Sequence, residues 1–156
     1  MNVQRLSLMV DMLEELATGR WHASRPGFIT ETRRQPTFLP DLWIENIDHP
    51  LGASGCAVGF ACLDSRFAGL NLRDLEPTTR APALQPGYPP RLASGWDAVC
   101  EYFGLEDEMA RWLFGAEVNA QSWGQVRDWL RMVLASADRD LSRNKAHINA
   151  QLRAAG

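Results

Sequence analysis

Lysine is nearly missing from this chain: of 16 Lys and Arg residues, only Lys145 is a lysine. Such a bias fits a GC-rich coding sequence, although Arg also makes forked contacts to carboxylates and stacks on aromatic rings better than Lys does. Cysteine is scarce, with Cys56, Cys62 and Cys100 forming an odd set without a CxxC pair. That signals neither a disulfide framework nor a zinc ribbon, and fits reduced thiols in a cytosolic compartment. No stretch approaches the roughly 18 consecutive apolar residues of a membrane span. The start, Met1-Asn2-Val3-Gln4-Arg5, lacks the basic segment and unbroken apolar run of a secretion signal. A soluble, cytoplasmic protein is the expectation. Excess charge of one sign is missing as well. The net −3 argues against a nucleic-acid binder, which needs concentrated Lys and Arg, and falls far short of the acidity of a DNA mimic. There is no internal repeat, no HxH or HExxH, no GxSxG, and no Gly-Lys-Ser/Thr phosphate loop.

What is present suits one globular domain over residues 1–156, with 46% hydrophobic and 22% charged residues. Val3, Leu6, Val10, Leu13 and Leu16 recur at helical spacing, with Gly19 as a stop. Residues 20–50 are broken by Pro26, Pro36, Pro40 and Pro50, leaving room for short strands or turns near Phe28–Thr30 and Leu42–Ile44. A second helix starting near Ser54-Gly55 and running through Leu63 is apolar on every side, as a buried central helix would be. Residues 64–93 lack periodicity and carry Pro77, Pro82, Pro86, Pro89 and Pro90, so a long loop is expected, as a candidate mobile or binding segment. Ser94 can cap a third helix ending at Gly104, and Glu106-Asp107-Glu108 open a fourth that ends at Gly115. From the capping-box form Ser122-x-x-Gln125, an apolar stripe from Trp123 to Leu152 predicts either one long helix or two, with a kink or break near Ser136–Asp138 favoured. The expected fold is therefore mainly α: a compact helical domain with a buried central helix, Pro-rich loops, a long C-terminal helix or helix pair, and at most a small β element.

Few residues form a chemical constellation. Cys56, at the first turn of a helix, would feel the dipole that lowers a thiol pKa. Its G-x-C-x-x-x-A setting loosely follows papain- and transglutaminase-like nucleophiles. With His22 or His49 as base it would make a hydrolase or transferase, but His147 is the only histidine downstream, where such enzymes usually keep theirs. The simpler reading makes Cys56, Ala57, Gly59 and Ala61 small residues that let other helices approach. His22, His49, Cys56 and Asp48 lack metal-ligand spacing, and neither a metal nor a cofactor is expected. Asp97 and Glu101 would share one helix face, and Glu106–Glu108 sit at a helix start where acids are stabilised by the dipole; both sets read as solvated.

Charge is uneven along the chain. Arg91 and Arg111 against Asp97, Glu101, Glu106, Asp107 and Glu108 leave residues 81–115 at −3. Arg139, Arg143, Lys145 and Arg153 against Asp138 and Asp140 leave residues 137–156 at +2. Arg127 and Arg131 share a helix face, as do Arg139 and Arg143. This stripe suits an acidic partner surface or, as an alternative, weak nucleic-acid binding; local pairing with Asp128 and Asp140 would make it an ordinary solvated face. Trp96, Trp112 and Trp129 have core registers among six tryptophans. Trp43 in a loop and Trp123 at a helix start are better placed as exposed anchors, and Trp and Arg concentrate binding energy at interfaces. Trp43, Trp123, Arg127 and Arg131 are thus the candidate partner-binding residues.

Four segments together resemble a family of small uncharacterised bacterial and phage proteins: Cys56-Ala57-Val58-Gly59-Phe60-Ala61; Ser65-Arg66-Phe67-x-Gly69-Leu70-x-Leu72; Ala98-x-x-x-Tyr102-Phe103-Gly104-Leu105; and Ala110-x-x-Leu113-Phe114. The likeness covers residues 3–115 and leaves residues 116–156 as a C-terminal helical extension. The position of Phe60 is often His or Trp in that pattern, so a chemical histidine there would be lost in this chain. The resemblance implies a small accessory protein. The functional expectation is a non-enzymatic protein-binding protein, such as a phage- or mobile-element-borne inhibitor or modulator of a host defence complex, for instance a CRISPR effector. A protein partner is expected, with no membrane; a homodimer closed by the C-terminal apolar stripe is also open.

Overall fold

A computed structural model describes residues 1–22, 24, 36–45, 53–83, 88–115 and 122–154, with side chains in the last helix described through Arg139. Helix α1 spans Val3–Ala17. Asn2 caps it, its side-chain oxygen accepting from the Arg5 amide at 3.1 Å. Leu6, Met9, Met12, Leu13 and Leu16 recur on one face and are all buried, each contributing roughly 1.5–3 kcal/mol of transfer free energy. Past the helix, Gly19 takes φ +69°, the left-handed turn that glycine adopts cheaply.

A small sheet follows, built from β1 (Thr37–Phe38), β2 (Ile44–Glu45) and β3 (Ser54–Gly55) in the order β1-β3-β2. Strand β3 runs parallel to β1 and antiparallel to β2. It leads into α2 (Ala57–Cys62), whose six residues are all buried. The expectation of a buried helix holds, although Ser54 and Gly55 belong to a strand and not to the helix start.

The expected long loop over residues 64–93 contains an antiparallel sheet, with β4 (Leu70–Arg73), β5 (Glu76–Ala81) and β6 (Arg91–Ser94) in sequential order. Strands β4 and β5 join through Asp74 and Leu75, at φ 51° and 65°. Two successive positive φ values are what a two-residue hairpin turn requires, here without the usual Gly or Asn. Pro77 is accommodated because pairing of β5 with β6 begins only at Thr78. Its missing N–H therefore faces no partner strand. With five helices and two three-stranded sheets among the described residues, the fold is mixed α and β. The expectation of a mainly α protein with at most a small β element is overturned.

Helix α3 (Gly95–Phe103) packs on the second sheet, where Ala81, Ala93 and Ala98 make a close, small-residue contact. It stops at Gly104 in the left-handed region, φ 61°. Helix α4 spans Asp107–Phe114, and α5 runs unbroken from Trp123 to Ala154, through Ser136–Asp138, where a break was expected. One apolar cluster joins α1, α2, α3, α4 and the first turns of α5. Through it runs a chain of edge-on rings: Trp21 on Phe60 at 5.1 Å, Phe60 on Trp123 at 5.2 Å, and Trp123 on Phe38 at 4.6 Å. Edge-to-face geometry sets the positive ring rim against the negative face.

Two ionic clusters tie distant segments together. Asp64, buried at 2% side-chain exposure, holds Arg66 at 2.6 Å, and Arg66 reaches Glu15 of α1 at 2.6 Å. The Trp21 indole N–H donates to the same carboxylate at 3.2 Å. Arg127 of α5 pairs with Glu14 of α1 and with its neighbour Asp128.

Candidate functional site

The partner-binding residues expected from sequence do not form one exposed surface, although Arg127 and Arg131 share two carboxylates. Trp123 is 8% exposed, held between Phe38 and Phe60. It is a core side chain and not an exposed anchor, because the apolar face of the first turn of α5 is what seats that helix. Arg127 is committed to Glu14 and Asp128, and Arg131 stands 3.8 Å and 3.7 Å from the same two carboxylates. This arginine face is ion-paired surface that clips α5 to α1. The Arg143 and Asp140 side chains and all of His49 and Asp48 lie outside the described residues.

Cys56 has none of the properties of an activated thiol. It is 2% exposed, and burial pushes its pKa up to about 11 against the weaker pull of backbone amides at Gly59 and Val58. The dipole expected to lower it belongs to a helix of six residues, too short to offset desolvation. His22 is exposed on the chain after α1. Among the described residues, no group of three or more His, Cys, Asp and Glu side chains is gathered to hold a metal ion, and no helix is long and apolar enough to cross a membrane.

Trp43 does reach a cavity. Its backbone is fixed by the Cys56 amide, which donates to the carbonyls of Leu42 at 2.8 Å and Trp43 at 3.2 Å. Its ring lies 4.7 Å from that of Trp96 on α3. The Arg111 guanidinium covers Trp96 at 5.0 Å and donates to the Asp107 carboxylate at 2.7 Å. Pro40, Asp41, Leu42 and Gly115 complete a shallow pocket of about 240 Å3, smaller than the roughly 300–1,000 Å3 usual for small-ligand sites.

On the other flank of α4 lies a larger groove of about 580 Å3, lined by Met1, Gly104, Leu105, Glu106, Glu108, Met109 and Trp112. Its apolar side chains are open to solvent: Met1 at 51%, Met109 at 40% and Trp112 at 37%. The Trp112 ring stacks on Trp129 of α5 at 5.5 Å with 29° between planes. One turn further along the same helix, Met132 is 58% exposed. The face continues from α4 onto α5.

The core registers of Trp112 and Trp129 in the sequence hide this groove. The signal was in α4 itself. Ala110, Leu113 and Phe114 already supply a complete buried stripe. Met109 and Trp112, three apart, form a second stripe displaced around the helix. One helix with more apolar arc than its own core needs has an outward face to explain.

Comparison with protein-family models, curated proteins and solved structures finds no significant match.

Proposed function

We propose that this chain is a non-enzymatic, protein-binding accessory protein whose partner docks on the α4 groove. The observation that carries this reading is the row of exposed Met1, Met109 and Trp112 side chains on one groove, continued by Trp129 and Met132 on α5. Tryptophan and methionine are enriched at interface centres, and a tryptophan already braced by a neighbouring ring loses little freedom on binding. The buried, proton-retaining state of Cys56 supports placing function on this surface and not on thiol chemistry. The finer reading, an inhibitor or modulator of a host defence complex such as a CRISPR effector, is carried by the family resemblance alone.

The test is an affinity pull-down from a bacterial lysate containing active defence systems. Wild type is compared with Trp112→Ser and with Leu75→Ser, a change at the exposed β4–β5 turn. A stoichiometric partner kept by Leu75→Ser and lost by Trp112→Ser is expected, and its identity decides the finer reading. A partner held equally by all three, or none held by the wild type, overturns the proposal.

A further inference from the structure

We propose that the α4 groove receives a basic amphipathic helix of the partner protein, its bulky apolar side chains seated on Met1, Met109 and Trp112 and its Lys or Arg side chains facing Glu106 and Glu108. The inference rests on the protein-binding reading above and adds the chemistry of what binds.

Charge complementarity selects this occupant. The groove contributes two carboxylates against one cation, the Met1 α-ammonium beside Gly104, and no Lys, Arg or His side chain. Asp107, between them in sequence, is paired with Arg111 at 2.7 Å on the other flank of the helix. Glu106 and Glu108 are exposed and form no ion pair among the described residues. Glu106 occupies the N-cap of α4, yet its side chain makes no capping hydrogen bond. Asp, Asn, Ser or Thr would cap better, so its carboxylate is left for the groove rim. Acids near a helix start gain from the dipole, which accounts for Glu108 as a helix residue but not for its place on an apolar groove.

The apolar floor fits the same partner. Thioether side chains are unbranched and polarisable, so they adapt to a helix surface of varied side chains. An amphipathic helix presents apolar anchors at i, i+3, i+4 and i+7, the arrangement that helix-in-groove recognition uses. A second acidic surface would instead bring like charges together, at a cost of several kcal/mol.

Methionine methyl NMR on the full chain provides the test. The five methionines divide into Met1 and Met109 on the groove, Met132 beyond it, and Met9 and Met12 fully buried. The probe is a synthetic Leu/Lys amphipathic helical peptide, with a Leu/Glu peptide of the same pattern as comparison. With the Leu/Lys peptide, the Met1 and Met109 methyls should shift while those of Met9 and Met12 stay. The Leu/Glu peptide should bind at least tenfold more weakly. Glu106→Gln with Glu108→Gln should weaken the Leu/Lys peptide about tenfold, whereas Glu76→Gln with Asp138→Gln, the same charge change elsewhere, should not.

Equal binding of both peptides, or no effect of the groove double variant, overturns the inference. So does a change of the Met1 and Met109 signals on dilution without peptide, which would mean that a second copy of this chain fills the groove. If the pull-down partner is lost in Trp112→Ser while the peptides show no charge preference, the protein-binding reading stands and this inference alone falls.

Discussion

Gly59 of α2 and Trp43 ahead of β2 meet backbone to backbone: a Cβ at position 59 would lie 1.6 Å from the Trp43 carbonyl oxygen. Gly55 makes the same approach, with its Cβ position 2.5 Å from that oxygen. The small residues of this segment admit a strand, where the sequence suggested neighbouring helices.

Replacing Gly59 by alanine should therefore be among the most damaging single-methyl additions in the protein. The obstacle is backbone, which cannot rotate away, so the cost should reach about 3 kcal/mol, the upper part of the overpacking range. Urea denaturation checks this. A midpoint equal to wild type would mean that Trp43 is not held against α2.

Asp64 makes stability depend on acid. Burial alone would raise its pKa, but hydrogen bonds and charge from Arg66, with the Trp21 indole N–H, outweigh burial and hold the carboxyl below its ordinary 3.8. A depressed folded-state pKa contributes stability that is present above the ordinary value and is lost as pH falls through the folded-state value. Unfolding free energy should thus drop below about pH 4, and more steeply in wild type than in Asp64→Asn. At neutral pH, Asp64→Asn should cost on the order of 1–3 kcal/mol, since Arg66 loses its buried counter-ion and keeps only the more exposed Glu15. Identical acid limbs for the two proteins would remove Asp64 from this role.

The thiols should react in order of burial. Cys56 and Cys62 are buried and Cys100 is half-buried, with desolvation and the nearby Asp107 and Asp97 raising the Cys100 pKa. A thiol reagent at pH 8 should modify Cys100 slowly and reach the other two only on unfolding. Because the folded-state pKa of Cys56 is raised from 9.0 to about 11, stability should be full below pH 9 and decline as pH rises toward 11. Rapid single modification of Cys56 in the native state would contradict its packing and reopen the hydrolase or transferase reading.

Two tryptophans should lose very different amounts of stability on truncation. Trp123→Ala removes a buried ring shared by Phe38 and Phe60 and should cost about 3–5 kcal/mol. Trp112→Ala gives up one stack on Trp129 and a partly exposed ring, so its cost should stay near 1 kcal/mol. Thermal unfolding of both variants settles the contrast. Equal losses would make the α4 groove part of the core.

The helices were legible in the sequence, apart from the start of α2 and the continuity of α5, because they carry local signals. The 3-to-4 spacing from Val3 to Leu16 defines α1, Gly104 ends α3, and three acids open α4. The sheets were not legible. Strands of two residues, such as Thr37–Phe38 and Ser54–Gly55, are too short to show a period. In β5, Pro77, Thr78 and Thr79 are buried in succession, which erases the alternation of a one-sided strand. The turn at Asp74-Leu75 has no glycine or asparagine to mark it.

Trp43 was identified as a candidate from its place in a loop. Trp112 was missed because apolar spacing says which residues share a face, and not which face the rest of the chain covers.

By itself, then, the sequence determined the local outcomes: four helical segments before a helical C-terminal stretch, an α2 that must be buried, thiols without a partner motif, and a chain without the basic density of a nucleic-acid binder. Those follow from capping, periodicity and composition, which act over a few residues. Only the tertiary structure decided that Trp123 is core while Trp112 faces solvent, that Arg127 serves Glu14 of α1, and that Glu106 and Glu108 border an apolar groove. Each of these depends on contacts between segments tens to a hundred residues apart, where burial and pairing, and not local propensity, set the free energy.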